Sequence, residues 1–146
     1  MPYMNATIFE VQRMSATAPG VLPHRTLADT TLEGYDIPKD TVVLVNVKAI
    51  LRDPDFWTDP DDFRPERFLN ESGQIIKPEP FIPFGIGKRI CLGETLAKRE
   101  LFIFSVVMVQ KMSFLLTQNH PTPDPGAATA GVTRIPLPFY VQIKPR

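Results

Sequence analysis

Between residues 52 and 83 the chain carries six prolines interleaved with Asp53, Asp55, Asp59, Asp61 and Asp62. Proline fixes φ, removes an amide donor and restricts the residue before it, so neither a long helix nor a central strand can run through this interval. It must be a meander of turns. An irregular segment of that length is uncommon inside a compact domain and usually carries a function, and a few buried side chains must hold its path. Trp57 and Phe56 are the expected anchors. The bias extends beyond this interval: sixteen of the 146 residues are proline, about twice the average usage of roughly 5%.

Whole-chain totals narrow the function classes. Sixteen lysines and arginines balance sixteen acids for a formal net charge of +0, so no overall field recruits nucleic acid or an anionic membrane, and any docking patch must be local. Nucleic acid is not an expected partner. A single cysteine excludes an internal disulfide and a thiolate-only zinc site, and it fits a reducing compartment. The length suits about one domain. Residues 1–20 have neither the basic start nor the apolar core of a secretory signal. The longest apolar run, 101–109 with Ser105 inside it, falls well short of the ~20 residues that cross a bilayer.

On either side of the meander the patterning is more regular. Met4, Ile8 and Val11 recur at i, i+4 and i+7, predicting an amphipathic helix over 3–14 with that stripe inward. Glu10 and Arg13 stand at i, i+3 on the same helix, where a solvated pair contributes only ~0.2–0.5 kcal/mol. Residues 18–23, with Pro19, Gly20 and Pro23, cannot continue the helix and read as a loop entering a strand. Turn signals at Glu33-Gly34 and Pro38-Lys39-Asp40 separate short Thr-, Tyr-, Ile- and Val-rich segments, predicting a small antiparallel sheet. Residues 41–47 are almost unbroken in apolar character and read as a strand covered on both faces. A second helix, from 94 to about 112, has Glu94 in its first turn and Lys111 in its last, with Leu92, Leu96, Ile103 and Val106 facing a core. Beyond Leu101 it is apolar nearly all round, which implies deep burial in a larger body. Residues 114–116 and 139–143 read as strands separated by a polar, proline-rich excursion.

The chemistry concentrates in Phe84-Gly85-Ile86-Gly87-Lys88-Arg89-Ile90-Cys91-Leu92-Gly93. A thiolate at Cys91 would gain from Lys88, Arg89 and the positive end of the following helix. Gly85, Gly87 and Gly93 leave no side chain above the backbone, so a bulky flat ligand could lie against the loop. Composition alone leaves two readings open, a metal-ligating or nucleophilic sulfur and a small buried hydrophobe.

The spacing Phe84-x-x-Gly87-x-Arg89-x-Cys91-x-Gly93 resembles the haem-binding loop of cytochrome P450, the haem-thiolate monooxygenases. Ile8-Phe9-Glu10-Val11-Gln12-Arg13 is similar to that family's Glu-x-x-Arg helix, and Pro65-Glu66-Arg67-Phe68 to its Pro-x-x-Phe element. The order helix, sheet, Pro-x-x-Phe, cysteine loop matches throughout, and it most resembles microsomal animal members of the family-2 type. The resemblance implies an α+β fold, mainly α with small antiparallel β-sheets, in which residues 1–146 are the C-terminal third of a single larger domain. It implies haem b as cofactor, with Cys91 as the iron ligand, Phe84, Gly85, Gly87 and Gly93 around it, and Arg89 and His24 near the propionates. His24 could equally be an ordinary polar surface residue.

The resemblance further implies that Glu10, Arg13 and Arg67 form a buried network behind the haem. Gly20, Val21 and Leu22, and the turn holding Gly131, Val132 and Thr133, become candidate substrate contacts. The implied activity of the whole protein is monooxygenation of a lipophilic molecule by dioxygen, with NADPH electrons delivered by a flavoprotein reductase at a patch including Lys88, Lys98 and Arg99. Solvation of a helix face accounts for those three cations equally well. The implied location is the cytoplasmic face of the endoplasmic reticulum membrane, through an N-terminal anchor outside this sequence. Because the central oxygen-activating helix is also outside it, the 146 residues alone are expected to be inactive. A non-catalytic remnant and a haem-thiolate isomerase or dehydratase are the alternatives.

Overall fold

The structure is a computed structural model that describes residues 1–129 and 131–146. Helix α1 spans Pro2–Ser15, close to the predicted 3–14. Pro2 is tolerated in the first turn because the opening amides of a helix have no intrahelical partner. At the other end Ala16 adopts a left-handed conformation, φ 38 and ψ 56, and its amide donates to the Gln12 carbonyl at 3.1 Å.

The predicted inward stripe of α1 is corrected. Val11 is 48% exposed, whereas Ala6, Ile8, Glu10, Arg13 and Met14 are buried. The helix turns its charged pair inward, where the meander supplies hydrogen-bond partners for both charges.

Strands β1 (His24–Arg25) and β4 (Val42–Val43) pair antiparallel, His24 opposite Val43. Between them β2 (Thr30–Leu32) and β3 (Tyr35–Ile37) form a hairpin. Its two-residue loop places Glu33 at φ 49 and Gly34 at φ 83, the paired positive values that match the twist of the flanking strands. The small antiparallel sheet predicted here is present as two two-stranded pieces.

The strand expected over 41–47 is shorter and less covered. Only Val42 and Val43 pair, and Val42 and Leu44 are exposed. Asn46 ends it. Its side chain accepts from the Ala49 amide at 3.0 Å and caps α2 (Val47–Ile50), which turns Val47 into the core. An unbroken apolar run thus conceals a strand-to-helix switch at a residue type favoured for helix caps.

The meander follows as predicted, a succession of turns with one 3-10 turn at Pro65–Phe68 and an isolated bridge between Leu69 and Ile75. Trp57 anchors it, buried and donating from Nε1 to the Ile50 carbonyl at 3.0 Å. Phe56, the other expected anchor, is exposed, and Phe68 is fully buried in its place. Phe68 packs against Phe9 of α1, Trp57 and Phe81, with ring centroids 5.6, 5.9 and 4.8 Å away. Ala6, Ala16, Val47, Leu51, Trp57 and Phe68 form the core, and α1 is pressed onto the meander through it.

Helix α3 spans Glu94–Lys111 and passes directly into β5 (Met112–Leu116). β5 pairs antiparallel with β8 (Val141–Pro145), Phe114 opposite Ile143. Both predicted strands are therefore found, but the second starts later, and Tyr140 instead stacks on His120 with 4.0 Å between centroids. A short hairpin of β6 (Ala128–Thr129) and β7 (Ile135–Pro136) precedes β8. No side chain of α3 is buried among the described residues. Leu96, Ile103 and Phe104 are exposed, and so is Leu92 just before it. Among the described residues the burial its composition demands is supplied only in part, at half-buried Ala97, Phe102 and Val106.

Candidate functional site

The cysteine loop is shaped by backbone hydrogen bonds. Gly85 donates to the Ile82 carbonyl at 2.9 Å, Ile90 to Gly87 at 3.1 Å, and the Cys91 amide to the Phe84 carbonyl at 2.9 Å. Gly85 and Gly87 take φ of 78 and 74, values that a side chain disfavours. Between them and the cysteine lies a 3-10 turn at Gly87–Arg89. The Cys91 carbonyl then accepts from the Glu94 amide at 3.3 Å as α3 begins.

This backbone leaves Cys91 exposed. A Cβ at Gly93 would come within 3.9 Å of its sulfur, so the glycine keeps one flank of the sulfur open. A Cβ at Gly85 would meet Val21 at 3.6 Å. Val21 is itself held by its amide donating to the Val45 carbonyl at 3.2 Å. Among the described residues no group of three or more histidine, cysteine and acidic side chains is assembled. A lone accessible sulfur on a side-chain-poor loop cannot build a tetrahedral metal site, but it can supply one axial ligand to a planar metal complex.

Lysine side chains back the loop. Lys98 pairs with Glu94 one turn earlier on α3, and its ammonium lies 5.6 Å from the Phe84 ring centroid. Lys77 of the meander sits 4.8 Å over the Phe9 ring. Burial there pushes the Lys77 ammonium below its ordinary range, as does repulsion from Lys98, while Glu94 opposes the shift. Lys88, Arg89 and Arg99 are exposed.

The charged network lies on the face of α1 turned toward the meander. Glu10 and Arg13 are fully buried and joined twice, Nε to Oε2 at 2.7 Å and Nη2 to Oε1 at 2.9 Å. Glu10 Oε1 also accepts from Arg67 Nε at 3.0 Å and from the Arg64 amide at 2.9 Å. Arg13 donates onward to the Leu51 carbonyl at 3.0 Å and to that of Asp62 at 3.3 Å, with its guanidinium 5.3 Å from the Trp57 centroid. Arg67 reaches the carbonyls of Thr58, Asp59 and Asp62 at 2.9, 3.1 and 3.2 Å. The solvated-pair alternative for Glu10 and Arg13 is thereby removed. Burial pushes the Glu10 carboxyl up, but the hydrogen bonds and positive charge of Arg13, the Arg64 amide and Arg67 outweigh it, and the carboxyl stays below the usual range.

The other sequence candidates are dispersed. His24 is half-buried on β1, Gly20 and Leu22 are exposed beside Val21, and Val132 and Thr133 lie exposed at the tip of the β6–β7 hairpin. A cavity of about 570 Å³ opens elsewhere, between Met14 of α1, Phe63 and the proline-rich excursion around Pro121 and Pro138, and no residue of the cysteine loop lines it. Sequence reasoning missed the carbonyls that receive Arg13 and Arg67, since backbone acceptors leave no compositional trace. It also missed the Arg64 amide.

Comparison with known proteins bears on the fold and the family. The family model described as Cytochrome P450 matches residues 1–143. Cytochrome P450 2U1 of Rattus norvegicus is 51% identical over 146 residues, all of this chain and 27% of the relative. Cytochrome P450 2J1 of Oryctolagus cuniculus is 56% identical over 114 residues, 78% of this chain and 23% of the relative. The chain thus spans about a quarter of the length of the curated relatives it matches. A solved zebrafish cytochrome P450, in a structure with abiraterone, superposes with a TM-score of 0.89 at 40% identity, covering 100% of this chain and 34% of that one. With the family model matching residues 1–143 and a relative 51% identical across all of this chain, the chain belongs to the cytochrome P450 family.

Proposed function

We propose that these residues are the proximal, haem-ligating, C-terminal part of a single larger cytochrome P450 domain, and that the whole protein is a monooxygenase of lipophilic molecules. The observation that carries the reading is the exposed Cys91 sulfur, presented on a glycine-shaped loop at the head of α3. The loop fits the group: one free sulfur, no side chain at Gly85, Gly87 or Gly93, and exposed apolar surface beginning at Leu92. Cys91 would hold the iron, Arg89 and His24 would face the propionates, and Phe84 would pack beside the ligand.

When bound, haem supplies activation of dioxygen, so that one oxygen atom enters the substrate and the other leaves as water. The protein residues orient and shield. The Phe84–Cys91 backbone bond fixes where the sulfur stands, and Gly93 leaves it reachable from the side of α3. Glu10, Arg13 and Arg67 hold the meander on α1 and so keep the support under the loop rigid. Val21, which packs on Gly85, together with Gly20, Leu22, Val132 and Thr133, would contact substrate.

Electrons would arrive from an NADPH-dependent flavoprotein reductase. Lys88 and Arg99, both exposed, are the freer part of the candidate docking patch, because Lys98 is engaged with Glu94. Among the described residues no helix is long and apolar enough to cross a membrane. Residence on the cytoplasmic face of the endoplasmic reticulum membrane would depend on an anchor outside these residues, as the resemblance to microsomal members suggests.

A second reading applies to the 146 residues by themselves: a non-catalytic piece that associates. It rests on α3, which has no fully buried side chain among the described residues and leaves Leu96, Ile103 and Phe104 exposed. The test is to supply haem, reduce, add carbon monoxide and compare with Cys91→Ser. A thiolate-type Soret band that disappears in Cys91→Ser is the expected result for the haem-loaded protein. The same band surviving the substitution would sink the assignment of Cys91, and absence of haem uptake by the 146 residues alone supports the second reading for that piece.

A further inference from the structure

Among the described residues the β6–β7 hairpin has two residue pairs, Ala128 with Pro136 and Thr129 with Ile135. Two-stranded pieces of that size do not hold a position by themselves. What places this one is Arg134, at the base of its tip. The Arg134 amide donates to the Thr17 carbonyl at 2.7 Å. Its guanidinium donates from Nη1 to the Ser15 carbonyl at 2.6 Å and the Met14 carbonyl at 3.3 Å, and from Nη2 to the Gly126 carbonyl at 3.1 Å.

The choice of arginine is physical. The last carbonyls of a helix lack intrahelical donors and carry the negative end of its dipole, so a cation there is favoured. A planar fork can also serve two directions at once, which a lysine ammonium on a flexible stem does poorly. A helix cap alone would not need that reach, since Arg52 already donates to the Met14 carbonyl at 3.2 Å. Arg134 spans from α1 to Gly126 on the excursion before the hairpin. It therefore fixes the hairpin against the same helix that carries Glu10 and Arg13.

We propose that Arg134 is a positioning residue that sets where Val132 and Thr133 stand, and through them which bulky ligands the substrate cavity admits. The proposal rests on the reading that this tip enters the cavity. The test uses the haem-loaded protein and two nitrogen heterocycles that bind haem iron, small imidazole and bulky clotrimazole, together with amide hydrogen exchange. Arg134→Ala is expected to speed exchange at residues 131–134 and to change the clotrimazole-to-imidazole affinity ratio by roughly fivefold. Haem content and imidazole affinity should stay as they are.

Val132→Ala, which alters the tip and leaves the tether, is expected to move the same ratio without speeding exchange at Arg134. Unchanged exchange in Arg134→Ala overturns the tether. A ratio that moves in Val132→Ala and stays fixed in Arg134→Ala overturns the effect on the cavity. A ratio unmoved in both overturns the underlying reading of the tip instead. If Arg134→Ala loses haem, Arg134→Lys replaces it, and the same shifts are expected at smaller size.

Discussion

Glu10 is the residue on which most other positions converge. Its Oε1 alone accepts from Arg13, Arg67 and the Arg64 amide, so the carboxylate joins α1 to two points of the meander. Its lowered pKa gives a direction for pH dependence. A carboxyl that titrates lower when folded than when unfolded contributes stability above the unfolded value of 4.5, and that contribution is lost as pH falls through the folded value. Glu10→Gln should therefore destabilise the protein at neutral pH by about 3–5 kcal/mol, because Arg13 and Arg67 are left buried without compensation. It should also flatten the loss of stability in acid. Urea denaturation across the acid range checks both. A variant as stable as the parent at neutral pH would show the network to be dispensable.

At the scale of elements, the loop and the meander separate what could be read in the chain from what could not. Cys91, the glycines and the Glu-x-x-Arg spacing were legible because each is a local pattern that folding does not rewrite. The bounds of α1 and α3 were legible for the same reason, through periodicity and through the charges at the ends of α3. The inward face of α1 was not, because it depends on hydrogen-bond partners 38 to 57 residues away. Phe56 was a wrong choice of anchor because it and Phe68 are both apolar neighbours of turns, and only the tertiary path decides which ring meets Phe9. Residues 41–47 misled through hydrophobicity alone, and the cap at Asn46 was the signal that arbitrates.

The loop glycines give a paired prediction. At Gly87 φ is positive and nothing lies within 4 Å of an added Cβ, so Gly87→Ala should cost about 1–2 kcal/mol through backbone strain alone. At Gly93 φ is −85 and the added carbon would approach the Cys91 sulfur at 3.9 Å. Gly93→Ala should leave thermal stability nearly unchanged while altering the haem spectrum. Melting curves and absorption spectra of the two variants make the comparison. Equal melting temperatures for both would argue that the loop relaxes freely around Gly87.

The whole molecule is unevenly finished. One side, where α1 meets the meander, has a closed aromatic core and satisfied buried charges. The other, along α3, presents apolar side chains outward. Exposed apolar surface of this kind drives association. The 146 residues alone should therefore sediment as concentration-dependent oligomers, and replacing both Ile103 and Phe104 by lysine should reduce that association. A monodisperse monomer before substitution would count against it.

The junction between α3 and β5 has a mechanical consequence. Lys111 is the last residue of the helix and Met112 the first of the strand, so no hinge separates them. Eighteen helical residues at about 1.5 Å each make a rod of about 27 Å, with the cysteine at its head and the β5–β8 ladder at its foot. A rod of that length, joined to the ladder with no intervening loop, sets the spacing between the turn that follows Cys91 and the paired strands.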